Sequence, residues 1–257
     1  MSIAVHVVDL TVSFHQQEVL SHITMDIPSH GIFVITGRSG SGKTTLLRSI
    51  NRLNEEFDGC VTKGYIEADL GYGLKSVFPS IQKNFTLSKL RQKIGMVFQT
   101  PNVFPTSVYR NISIPLEQLT HYAKKDIPTY VYSALDRVGL LQEVENRLDI
   151  PAHYLSGGQQ QRLCFARMLA LEPAILLLDE PTSSLDIHAT QKIESLLLEL
   201  ASEYPIIMVS HNITQICRLA HEIVILEYGT IINKLTEKAY YKEILTSIIE
   251  HNINIIN

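Results

Sequence analysis

A glycine-rich octapeptide, Gly37-Arg38-Ser39-Gly40-Ser41-Gly42-Lys43-Thr44, joins an apolar run, Ile32-Phe33-Val34-Ile35, to a helix-compatible stretch from Lys43 to Arg52. A strand that passes through such a loop directly into a helix commits the chain to an α/β core built for phosphate. Glycines at 37, 40 and 42 permit positive φ, which turns successive N–H groups toward an anion. The helix N-terminus adds partial positive charge. Lys43 is expected to reach the β- and γ-phosphates of a nucleotide, with the Thr44 hydroxyl on Mg²⁺. Arg38, Ser39, Ser41 and Thr45 complete the expected nucleotide-binding set. The alternative, an ordinary Gly/Ser turn before a helix, would not require all these positions to be filled together.

Hydrolysis needs a carboxylate for the metal and another for water. Ala174-Ile175-Leu176-Leu177-Leu178 leads directly into Asp179-Glu180. A continuous apolar run of this length reads as a central parallel strand covered on both faces. Asp179 is then expected to hold Mg²⁺ through its water shell, and Glu180 to act as general base. A second phosphate-directed element is Leu155-Ser156-Gly157-Gly158-Gln159, read as the start of a helix running from about Gln159 to Ala170. Its N–H groups and the Ser156 hydroxyl could clasp a γ-phosphate from the side opposite Lys43. The segment could hardly reach the nucleotide of its own chain, which predicts a two-fold, ATP-dependent dimer with two interfacial ATP molecules. Read alone, Ser156 could equally be a plain helix N-cap.

In order along the chain, Gly37 to Thr44, Gln99, Leu155 to Gln159, Asp179-Glu180, Ser184-Leu185-Asp186 and His211 resemble the motif set of the ABC transporter ATPases. The match covers about residues 5–230. The resemblance implies a P-loop NTPase core of ABC type in an α/β fold, with an antiparallel β subdomain and a helical subdomain. It implies His211 at the γ-phosphate, Gln99 at Mg²⁺ and the attacking water, and Asp186 packed across the dimer. Phe14 falls where the family places an aromatic against adenine, although tyrosine is more usual there and a core strand aromatic is the competing reading.

A narrower resemblance, carried by QTPNVFPTSVYRN from Gln99 to Asn111 and by SGGQQQRLC from Ser156 to Cys164, is to the ATP-binding subunits of bacterial phosphate importers. The stretch after Gln99 discriminates best, because in that family it faces the membrane subunits. Three departures bear on the transported substrate: an irregular segment at 60–90, Ser41 in place of a common cysteine, and a tail beyond Tyr228 that does not match.

At 257 residues and 45% hydrophobic composition, the chain can bury one large core with a smaller helical lobe. The expected division is a single ABC ATPase domain, with 1–100 and 152–257 as the nucleotide-binding core and 101–151 as the helical subdomain. Alternation such as Val5-His6-Val7-Val8-Asp9-Leu10-Thr11-Val12 predicts an antiparallel layer in the first 90 residues. Strands are expected around Val224 to Ile232 and a last helix from about Glu237 to Glu250. No apolar run approaches the roughly 18–20 residues of a spanning helix, and no signal-peptide pattern opens the chain. Membrane association is therefore expected through integral partners, on the cytoplasmic face where ATP is available. The three cysteines lack CxxC spacing, which suits a reduced compartment. A net charge of −4 gives no basic footprint for nucleic acid.

The residues predict an ATP- and Mg²⁺-dependent ATPase, and the narrower resemblance implies that it drives phosphate uptake. Its expected partners are a second copy of itself and, as the resemblance implies, two integral permease subunits and, indirectly, an extracytoplasmic substrate-binding protein, with no nucleic acid. Alternative cargoes are another oxyanion or a polar amino acid. A soluble ABC-type ATPase acting on ribosomes or DNA is a rival from another class, as is a non-hydrolysing subunit that uses ATP as glue. Ribosome- or DNA-directed relatives usually carry two cassettes or a long coiled-coil insertion, neither of which is found in this sequence.

Overall fold

The computed structural model describes residues 2–81, 85–238 and 241–245. In chain order the strands are β1 (Ile3–Phe14), β2 (Gln17–Pro28), β3 (Gly31–Gly37), β4 (Cys60–Asp69), β5 (Leu74–Phe78), β6 (Ile94–Val97), β7 (Ile175–Asp179), β8 (Pro205–Val209), β9 (Glu222–Glu227) and β10 (Thr230–Leu235). The helices are α1 (Lys43–Ile50), α2 (Leu87–Lys93), α3 (Val108–Leu119), α4 (Ile127–Arg137), α5 (Leu141–Val144), α6 (Gly157–Leu169), α7 (Ile187–Leu200) and α8 (Ile213–Leu219). Packing divides the chain into two compact units, one of Met1–Phe85 with Ala201–Asn257 and one of Thr86–Leu200.

The first unit contains an antiparallel layer in the order β2-β1-β4-β5. Alternation alone would put Val5, Val7, Leu10 and Val12 on both faces of β1, yet all four are fully buried. A change of register between Val7 and Leu10 resolves the conflict: Asp9 takes a left-handed φ of 51°, and His22 does the same on β2. The extra residue of each bulge shifts the pleat by one position and returns the following hydrophobes to the core.

In the same unit β3 lies between β8 and β9, parallel to both, and β9 turns back into β10 as a hairpin. Ile32, Phe33, Val34 and Ile35 are at most 1% exposed. Side chains buried to this degree stabilise the strand by about 1.5–3 kcal/mol each, as an upper estimate. This burial fixes where the chain leaves β3, and so where the glycine-rich loop begins. Helix α1 ends earlier than the sequence suggested, at Ile50, because Arg52 adopts a left-handed φ of 59°.

The second unit pairs β6 with β7 in parallel register, Ile94 opposite Ile175 through Val97 opposite Leu178. Ile175 to Leu178 are fully buried, as a covered central strand requires. Helices α3, α4 and α5 occupy the stretch between the end of β6 and α6. Ser107 caps α3 by accepting from the Arg110 amide. Within the expected last helix, residues 241–245 are helical, whereas 239–240 and everything from 246 onward lie outside the described residues. Among the described residues no helix is long and apolar enough to cross a membrane.

Candidate functional site

The loop after β3 has the conformation its glycines permit. Gly37, Gly40 and Gly42 have φ of 143°, 78° and 97°. Two of them are also required by space: a Cβ on Gly37 would stand 2.0 Å from the Leu226 carbonyl oxygen, and one on Gly42 would stand 2.7 Å from Leu20 and 2.9 Å from the Val19 carbonyl. The loop is therefore seated against β9 and β2 with no room for a side chain at either end.

Lys43, the first residue of α1, is buried, and its Nζ donates to the carbonyls of Gly37 at 3.0 Å and Arg38 at 2.6 Å. The cation is thus held across the loop. Thr44 and Thr45 follow in the first turn of α1, while Ser39 and Gly40 are exposed at the loop tip. Ser41 is buried, and its Oγ has no hydrogen-bond partner among the described residues. The β9–β10 turn braces the loop from the side: the Gly229 amide donates to the Ser41 carbonyl at 3.2 Å, and Arg38 donates to the Tyr228 hydroxyl at 3.4 Å. Sequence reasoning missed this brace, because Tyr228 reads as an ordinary hairpin residue.

Two other expected residues belong to the same unit. His211 is exposed on the loop after β8. That loop is fixed by Ser210, whose amide donates to the Ile35 carbonyl and whose hydroxyl donates to Gln215. Phe14 closes β1 and meets Phe57 edge to face, with ring centroids 6.5 Å apart. It is half-buried, so one part of the ring packs in the protein and the rest is available to a ligand.

In the second unit the structure brings together Gln99 and Glu180. Gln99 follows β6, Glu180 follows β7, and Gln99 Nε2 donates to Glu180 Oε2 at 3.5 Å. Asp179, the last residue of β7, is 5% exposed. Glu180 itself has φ of 45°, in the left-handed region that a residue with a Cβ enters at a cost of about 1–3 kcal/mol. The turn that follows stabilises this conformation, since the Ser183 amide and hydroxyl both donate to the Glu180 carbonyl.

Gln161 lies beside this pair. It is fully buried on α6, and its Nε2 donates to the Phe98 carbonyl at 3.1 Å and the Pro181 carbonyl at 3.0 Å. Those residues immediately precede Gln99 and follow Glu180. The Gln161 Oε1 has no partner among the described residues, a desolvation cost of about 1–3 kcal/mol. Sequence offered no signal for it beyond a third glutamine in a row.

The LSGGQ segment is a helix terminus built by reciprocal capping. Ser156 Oγ accepts from the Gln159 amide at 3.3 Å, and Gln159 Oε1 accepts from the Ser156 amide at 3.0 Å. The helix starts at Gly157, two residues earlier than expected. The plain-cap reading of Ser156 is thus realised, with its Oγ engaged as an acceptor. Ser156 and Gly157 are exposed, while Gly158 is buried with its α-carbon facing Ala189 on α7. Gln159 extends from the cap to Glu143 on α5, donating at 2.9 Å. Glu143 also accepts from Arg162 at 2.9 Å and from Lys192 at 2.8 Å. The Arg162 guanidinium in particular holds the Glu143 carboxyl down at about 2.

Asp186 caps α7, accepting from the Ala189 amide at 2.9 Å. That bond to the backbone holds its carboxyl below the usual range. The stretch after Gln99 is organised from α6 as well. Arg167 donates to the Asn102 side chain at 2.8 Å and stacks its guanidinium 4.4 Å from the Phe104 ring centroid. The fully buried Asn111 accepts from the Phe104 amide at 2.8 Å.

The residues fit their expected ligands chemically. A loop of left-handed glycines with a lysine across it suits a polyphosphate. The hydroxyl of Thr44, the carboxamide of Gln99 and the carboxylate of Asp179 are hard oxygen donors of the kind Mg²⁺ takes alongside phosphate oxygens.

Comparison with known proteins agrees with this chemistry. The family model described as ABC transporter matches residues 20–183. The chain is 44% identical to the phosphate import ATP-binding protein PstB of Saccharolobus solfataricus, over 91% of this chain and 86% of that one. It is 45% identical to the protein of the same name from Mycoplasma mycoides subsp. mycoides SC, over 77% and 83% of the two chains. Among solved structures, cbiO1 from Clostridium perfringens, described as part of the ABC transporter complex cbiONQ, superposes with a TM-score of 0.78 at 28% identity, covering 99% of this chain and 96% of that one. An ATP-binding cassette solved as a dimer in a post-hydrolysis state with ADP and Pi gives a TM-score of 0.75 at 28% identity, with 90% and 98% covered.

Proposed function

This chain belongs to the ABC transporter family, and from that membership we propose that it is the ATP-hydrolysing subunit of an importer for inorganic phosphate. Its fold is the ABC-type P-loop α/β core with an antiparallel β layer and a helical region. The observation that carries the cargo assignment is the 44% identity to a phosphate import ATP-binding protein over 91% of the chain.

In this reading the loop from Gly37 to Thr45, including Arg38, Ser39, Ser41 and Lys43, cradles the phosphates of ATP, and Phe14 packs on the base. Thr44, Asp179 and Gln99 would hold Mg²⁺, which would neutralise phosphate charge when bound. Glu180 takes the proton of the attacking water, Gln99 orients that water, and His211 contacts the γ-phosphate. The 3.5 Å approach of Gln99 to Glu180 supports this pairing. Ser156, Gly157, Gly158 and Gln159 clasp the nucleotide held by a second copy of the chain, and Asp186 packs across that dimer. The nucleotide-binding core takes 1–100 and 152–257, and 101–151 forms the helical subdomain.

Closure of the homodimer around two ATP molecules moves two integral permease subunits through the Gln99 segment, and hydrolysis reopens it. A binding protein outside the membrane delivers phosphate to those subunits, so the ATPase works at the cytoplasmic face.

Uptake of labelled phosphate by source cells that carry Glu180→Gln in place of the native chain tests the cargo. Loss of high-affinity uptake is expected. Unchanged uptake, with ATPase activity abolished in the purified variant, would remove phosphate as the cargo and leave the ATPase intact.

A further inference from the structure

We infer that Gln161 is a positioning residue that sets the register of Gln99 against Glu180, an inference that rests on the ATPase reading above. The β6–β7 ladder ends at Val97 opposite Leu178, and Gln99 and Glu180 stand two residues beyond it, past the last strand pair. One side chain ties the two segments together. Gln161 Nε2 directs one hydrogen to the carbonyl just before Gln99 and the other to the carbonyl just after Glu180. Both donors of a single amide are used, while its acceptor, Oε1, is left without a partner among the described residues. A site selected for filling space would be served better by an apolar side chain. The idle acceptor indicates that the position is occupied for its two donors.

The tie has a second consequence. Gln161 stands two residues beyond Gln159 on α6, whose exposed tip is Ser156 and Gly157. A displacement of α6 when that tip engages a nucleotide is transmitted to both carbonyls at once. The catalytic pair of one chain is thereby made sensitive to occupancy of the site served by its own LSGGQ tip. Small misplacements of reacting groups are costly in rate, with about 1 Å worth on the order of 10²-fold.

The test is steady-state ATPase activity of the full chain with Gln161→Met, which keeps length and removes both donors. The expected result is a kcat lowered about 10-fold to 10²-fold, with KM for ATP and binding of a fluorescent ATP analogue within about twofold of wild type. In a Gln99→Ala background the same substitution should lower kcat by less than about twofold, because the register it protects no longer matters. A folded Gln161→Met protein with wild-type kcat overturns the inference, and so does an equal fold loss in both backgrounds. If Gln161→Met does not fold, Gln161→Asn serves: it keeps the amide but is one methylene too short to span both carbonyls, and unchanged kcat in that variant is again fatal. An inactive wild-type chain would instead sink the ATPase reading, and the positioning role with it.

Discussion

Glu143 accepts a 2.9 Å hydrogen bond from Gln159, so the last residue of LSGGQ is anchored to a carboxylate on α5. The same carboxylate receives Arg162, whose side chain is 6% exposed against 30% for Glu143. The guanidinium is therefore the member that would suffer most from loss of its partner. Glu143→Ala should destabilise the protein by about 2 kcal/mol, less than a fully buried pair because Glu143 is partly solvated. Chemical denaturation near neutral pH measures this.

The pH dependence has a defined sign. The Glu143 carboxyl is lowered from 4.5 to about 2 in the folded protein, chiefly by the Arg162 bond. Its contribution is fully present above the unfolded value and is lost as pH falls from about 4.5 toward about 2. The stability difference between wild type and Glu143→Gln should be flat above about pH 5 and shrink through that acid window. A difference that stays constant down to the acid limit would contradict the ion pair.

Replacing Glu180 with Gln should lower turnover by roughly 10²-fold or more while ATP binding is retained, since the change removes a base and preserves shape. The backbone conformation sharpens the test. Glu180→Gly should relieve the left-handed strain at φ 45° and stay folded, yet be as inactive as the Gln variant. A glycine variant with near-native turnover would show that the carboxylate is not the base.

Much of this site was legible in the sequence because phosphate loops are made by backbone conformation, and glycine spacing reports backbone directly. Gly37, Gly40 and Gly42 have the positive φ that their spacing predicted. The unbroken apolar run before Asp179 likewise announced a covered strand. Other features escaped because they depend on partners distant in sequence. Gln161 is informative only once Phe98 and Pro181 are known to lie on either side of it. Glu143 reads as one more surface carboxylate until Gln159, Arg162 and Lys192 converge on it. The bulge at Asp9 was equally hidden, since simple alternation cannot reveal a shift that both strands make together.

The loop glycines should respond unequally to alanine. At Gly37 a Cβ meets a backbone oxygen at 2.0 Å, so the strand or the loop must move. At Gly40 no protein atom lies within 4 Å, and within the protein the left-handed φ of 78° is what opposes the methyl group. Gly40→Ala should therefore cost about 1–2 kcal/mol and leave the protein folded. Gly37→Ala should lose binding or folding altogether. Thermal melts paired with ATP titration separate the two, and equal losses would mean that Gly37 is not seated on Leu226 as described.

A shared site makes a prediction that no single-chain enzyme can satisfy. A bulky residue at Ser156 would obstruct the exposed tip of α6 while leaving Lys43 and its loop intact, so this variant supplies sound phosphate loops and no working clasp. Lys43→Ala supplies the reverse. Each protein should be inactive alone, because every site in either homodimer has one damaged half. In a mixed dimer, one site combines the intact loop of the first chain with the intact tip of the second, and the other site combines both lesions. Mixing should therefore restore about one competent site per mixed dimer. The restored rate should peak near equal amounts of the two chains and vanish when Glu180→Gln is added to the chain that carries the intact loop. Adding the same change to the other chain should leave it untouched. Activity that never returns on mixing, although both variants dimerise with ATP, would remove the shared-site arrangement.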